Sequence, residues 1–157
     1  MDSYLFLRLI HILSSVVVAG TGAGIAFFMF MANRSNSPQA IAVTARNVVL
    51  ADWLFTAPAV VTQFLSGWLL IHQLNWSFSS QWFLVVLALF IFVGVCWIPV
   101  LFIQYRLRSL ADDAIQQGEI SNDFKRLMKL WTALGIPAFL AVLVIFWLMV
   151  FKPLAIV

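Results

Sequence analysis

Four long apolar runs organise the chain: Tyr4–Ala32, Ala51–Leu74, Gln81–Tyr105 and Leu127–Phe151. Each is long enough to cross a hydrocarbon core, which takes about 20 apolar residues. The polar segments between them are short, so successive runs are antiparallel. Pro38 to Asn47 reads as a surface amphipathic helix leading into the second run. The third run continues past Tyr105, because Arg106, Arg108, Asp112 and Asp113 suit a solvated extension. Gly118 is placed to end that helix, and Ser121 to cap the next, with Asp123 in its first turn. The pattern predicts an all-α fold, a four-helix transmembrane bundle with helices at about 4–32, 51–74, 81–117 and 121–152, as one membrane domain over residues 1–157.

Composition agrees with that class. Hydrophobic residues make up 64% of the chain and charged residues 10%, against about 25% charged in soluble domains. The basic residues set an orientation. Arg34 and Arg46 lie in the first connection, and Arg106, Arg108, Lys125, Arg126 and Lys129 flank the third; the middle connection, Asn75–Ser80, has none. The first and third connections are therefore expected on the cytoplasmic side and both termini on the outer, periplasmic side of a bacterial inner membrane. The first run is too long for a signal peptide and lacks a convincing cleavage site, so it is read as a retained helix. The net charge of +3 is topology signal and does not argue for nucleic acid. The single cysteine, Cys96, allows no intrachain disulfide.

Candidate chemistry narrows to the two histidines, His11 and His72, both inside apolar runs. Intramembrane imidazoles are costly and mark functional sites. Antiparallel helices put both toward the outer end, at similar depth, where they are placed to ligate one iron of a b-type haem. The His11 face carries Tyr4, Leu7, Arg8, Ser14, Ser15, Val18 and Gly22, the smallest and most polar face of its helix, and so points inward. The His72 face, with Trp68, Leu69, Leu65, Val61 and Pro58, suits a haem-pocket wall. Ser14 or Ser15 is expected to satisfy the second ring nitrogen of His11. Arg8 and Lys152 break the charge rule, and holding haem propionates would explain both. Snorkelling to headgroups is the plainer account of each.

Other readings stand beside this one. The histidines suit a hydrogen-bonded core, and copper would want Met and Cys ligands that lie mostly in the opposite leaflet. Pro58, Pro99 and Pro137 recur at one depth, offering either absorbed kinks or a cavity for a quinone, a second haem or a substrate. Asp52 is read as charging the start of the second helix, with a proton-accepting role as the alternative. Trp53, Trp76, Trp82 and Trp131 are read as interfacial anchors. Gly20-x-x-x-Gly24 is a helix-packing motif suited to partner helices or a homo-oligomer. No hydrolytic triad, phosphate loop or zinc motif occurs.

The phrases Leu-Ile-His-Ile-Leu (9–13), Leu-Ala-Asp-Trp-Leu-Phe-Thr-Ala-Pro (50–58), Gly-Trp-Leu-Leu-Ile-His (67–72), Cys-Trp-Ile-Pro (96–99) and Phe-Trp-Leu-Met-Val-Phe-Lys-Pro (146–153) resemble a bacterial family of integral membrane proteins of unknown function, across essentially the whole chain. That family is distantly similar to the membrane protoporphyrinogen IX oxidase, to copper-resistance D-type membrane proteins and to the membrane domain of a bacterial urate oxidase. The resemblance implies a four-helix membrane bundle and favours haem, with His11 matching the helix-1 histidine. The expectation is a membrane haem-b protein passing electrons between a quinol or redox partner protein and an outer acceptor. A copper-handling or small-solute permease component and a structural or assembly subunit are the alternatives.

Overall fold

The computed structural model describes residues 3–152. Helix α1 spans Ser3–Arg34, α2 Pro38–Ala51, α3 Ala57–Gln73, α4 Gln81–Gln117 and α5 Asn122–Phe151. A turn of π-helix, Asp52–Thr56, joins α2 to α3 without a break, so the chain presents four helices long and apolar enough to cross a membrane. The second of these runs from Pro38 to Gln73.

Local chemistry explains the boundaries. Pro38 opens α2 behind Ser37, whose side chain caps it. Ser80 and Ser121 cap α4 and α5 by accepting from Phe83 and Phe124 N–H. Gly118 ends α4 at φ 76°, a left-handed conformation that glycine adopts without steric cost. The expected surface helix and second span are thus one continuous helix, and Asp52 is no helix start. It is the first residue of the π-turn, deep inside that helix. Pro58 is the local cause in the sequence: it has no N–H for the Leu54 carbonyl, so the ladder cannot pass through it unchanged.

The bundle is packed differently at its two ends. At the basic end, α2 lies on α4 and α4 on α5, around a core of Met29, Ile41, Ala45, Leu107, Phe124 and Trp131. Arg46 pairs with Asp112 across α2 and α4 at 2.6 Å, and Trp53 donates to the Tyr105 hydroxyl. Beyond the π-turn, α3 packs chiefly on α1 and reaches α4 through the stacked Phe64 and Phe90 rings. A second small core, Trp82, Val86 and Leu148, closes α4 on α5 at the terminal end. Trp82 donates its indole N–H to the Leu148 carbonyl. Trp82 and Trp131 are therefore buried core residues rather than interfacial anchors.

The long apolar side chains left outside, among them Phe27, Phe28, Ile91, Phe102 and Val150, are what a lipid-facing surface requires. A Cβ added at Gly20 or Gly24 would meet nothing within 4 Å, so within this chain the motif faces open space. The void in the basic half, between Met29, Val48, Gln104 and Trp131, does not admit a water molecule.

Candidate functional site

The seam between α1 and α3 carries a polar network inside the membrane-length part of the bundle. His11 contributes its ring from α1. Its Nδ1 lies 2.9 Å from Ser66 Oγ, and its Nε2 lies 2.9 Å from Gln63 Nε2. Ser66 Oγ donates its own proton to the Thr62 carbonyl at 2.6 Å, so it must accept from His11 Nδ1–H. That fixes the neutral tautomer: Nδ1 carries the proton, and the Nε2 lone pair accepts from the Gln63 amide. Gln63 Oε1 in turn accepts from the Ser14 hydroxyl. The hydrogen bonds run in one direction, from Ser14 to Gln63 to His11 to Ser66 to the Thr62 carbonyl.

Helical spacing places these partners. Gln63, Ser66 and Gly67 fall at three- and four-residue intervals on the α3 face toward α1. Ser66 is 3% exposed and Ser14 6%. Gly67 is required by the ring itself: a Cβ built there would lie 3.0 Å from His11 Cε1.

The inward direction expected for His11 and Ser14 is what the structure shows. The remaining expectations fare differently. The Nδ1 partner of His11 is Ser66, not Ser14 or Ser15; Ser14 acts one step removed, through Gln63, and Ser15 bonds the Ile12 carbonyl. His72 is exposed and packs edge-on against Trp68 and Phe78, with ring centroids 5.4 and 5.2 Å away. It lies nine residues beyond Gln63, about two and a half helical turns, and so points to the opposite side of α3. It also lies six residues beyond Ser66, about 9 Å farther along the axis. Trp68 stacks with Phe64 and Phe78, again away from α1. Arg8 is exposed. Lys152 ends α5 with its Nζ 4.7 Å above the Trp76 ring and 5.8 Å from that of Trp82, a cation–π position.

This donor set does not fit a bis-histidine haem within one chain. Axial ligands must face each other across one iron, whereas the two rings sit on opposite sides of α3 at different depths. Both nitrogens of His11 are already engaged, and its ring is wedged against Gly67. Among the described residues no three His, Cys, Asp or Glu side chains cluster as a metal site.

Gln63 and Ser66 were the site residues that reading for metal ligands passed over. Their signal was present: a glutamine and a serine, three residues apart, inside an apolar run, where polar side chains need partners.

No curated protein and no solved structure matches the chain. Residues 5–153 match the model of one family, described as "Predicted integral membrane protein (DUF2269)".

Proposed function

The chain belongs to the DUF2269 family of predicted integral membrane proteins, and from that footing we propose that it is a proton-coupled membrane protein in which His11 takes up and releases the proton. The observation that carries this is the one-way hydrogen-bond chain through His11, because it has a second fully satisfied arrangement. When Nε2 gains a proton, the Gln63 amide turns over and presents Oε1 to it. The Gln63 NH2 then faces Ser14 Oγ. Ser14 keeps a use for its own proton, since the His11 carbonyl lies 3.0 Å away. Ser66 accepts from Nδ1–H in both states. A buried network satisfied in two protonation states avoids the unpaired polar group that makes such changes costly. Intramembrane histidines in such chains are the usual parts of proton relays. In this reading the basic end faces the cytoplasm and the termini face outward, by the excess of Lys and Arg there.

The test is 15N NMR of histidine-labelled protein in bilayers, where two histidines give resolvable signals. The expected result is a neutral His11 protonated at Nδ1, converting reversibly to a doubly protonated ring on acidification while the bundle stays folded. In Gln63→Leu the second state has no acceptor, and that conversion is expected to disappear. A His11 that holds one neutral tautomer over the whole folded range would overturn the proposal.

A second reading, a haem-b electron carrier, is supported by one observation. His72 stands exposed on an aromatic wall of Trp68, Phe64 and Phe78, where its ring remains accessible. It would supply one axial ligand, and a second would come from outside this chain. The expected absorption signature, from cells supplied with haem precursor, is a Soret band lost in His72→Ala and kept in His11→Ala. Colourless protein that also fails to take up added hemin removes this reading.

A further inference from the structure

The π-turn holds a second polar site, about two turns of helix from the histidine seam, that nothing above uses. Asp52 is 4% exposed and Thr56 6%. They sit four residues apart on the interior side of the turn, which packs against α1. Among the described residues the one ion pair is Arg46–Asp112, so no cationic side chain neutralises Asp52. An ionised carboxylate taken out of water costs several kcal/mol unless a counter-charge accompanies it.

Thr56 gives the second observation. A threonine inside a helix can return its hydroxyl to the carbonyl four residues back, as Thr62 and Thr132 do, to Pro58 and Met128. Thr56 does not: its Oγ1 is buried and has no partner. The Asp52 carbonyl, four residues back, accepts from Ala57 N–H, closing the π-turn. Pro58, two residues on, has no N–H to offer the Leu54 carbonyl. One turn of helix therefore holds a buried carboxyl group and an unpartnered hydroxyl.

We infer that this turn is a binding site for a single monovalent alkali cation. The donors are all hard oxygens, which select hard cations over the soft metals that histidine and cysteine take. One carboxylate balances one positive charge, which favours a monovalent over a divalent ion. Interrupted helices whose loosened backbone carbonyls hold sodium are a recurring device in membrane proteins. Asp52 supplies the charge and Thr56 Oγ1 a neutral ligand.

Sodium is the probe for the test. The full chain is purified, placed in lipid nanodiscs in choline buffer, and titrated with 22Na+. The expected result is saturable binding of one ion per chain. The isosteric Asp52→Asn variant loses it, and Thr56→Val weakens it by about tenfold, the scale seen when a supporting metal-site group is removed. Wild-type protein without saturable sodium binding, or an Asp52→Asn variant that binds as wild type does, overturns the inference. The titration is read without reference to His11, so this inference and the proton reading stand or fall separately.

Discussion

Replacing Gly67 by valine is expected to push α1 away from α3 and cost about 3 kcal/mol of stability. The alanine-sized Cβ alone would lie 3.0 Å from His11 Cε1, and valine adds two more carbons. Overpacking a filled site costs about 1–3 kcal/mol. The His11 ring cannot simply swing aside, because hydrogen bonds at 2.9 Å hold both its nitrogens. Moving it leaves Gln63 and Ser66 short of partners, at about 1–3 kcal/mol for a buried unsatisfied group. The two costs share atoms, so they do not add in full. The decisive measurement is the double variant. His11→Ala makes room for the valine, so Gly67→Val with His11→Ala is expected to unfold later in an SDS titration than Gly67→Val alone. Additive losses in that cycle would mean that the ring and the glycine are not in the contact described.

Phe124→Ala is expected to be the most damaging single truncation outside the seam, at about 3–5 kcal/mol. Phe124 is 1% exposed and sits in the first turn of α5, against Leu107, Leu110 and Ile41 at the basic end. Its surroundings are charged, with Arg108, Asp112, Lys125 and Arg126 on the same helices. This core therefore borders water, and the cavity left behind carries the full cost of exposing apolar surface. Phe102 is the control: it is 72% exposed on a lipid-facing side, and Phe102→Ala is expected to change stability by no more than about 0.5 kcal/mol. Equal losses from the two would show that the core at the basic end does not carry the stability assigned to it.

The four spans were legible in the sequence because apolar length alone announces them, and the caps at Gly118 and Ser121 because their residue types have few other uses. The inward direction of His11 was legible from its small, polar face. The pairing of the two histidines was not. Depth along two antiparallel helices can be judged from position, but the side of the helix facing a partner depends on which neighbour the helix leans on. Here the π-turn decides that. It inserts an extra residue per turn at Asp52–Thr56, so α2 addresses α4 while α3 addresses α1. Within α3, Gln63 and Ser66 mark the side that meets α1, and His72, nine residues beyond Gln63, falls on the other. The glutamine and serine that hold His11 were overlooked for another reason. They are neither charged nor metal-ligating, and their importance lies in direction, with one amide and one hydroxyl fixing which ring nitrogen holds the proton.

The two ends of the bundle answer to different solvents. Around Phe124 and Leu107, unfolding would wet apolar surface, and that wetting gives protein stability its heat-capacity increment and its curvature with temperature. Along the His11 seam, separating α1 from α3 only exchanges neighbouring helices for lipid, with little water to restructure. The temperature of greatest stability is therefore set by the core at the basic end. The histidine seam, held by hydrogen bonds and close packing alone, keeps a nearly constant strength from cold to warm.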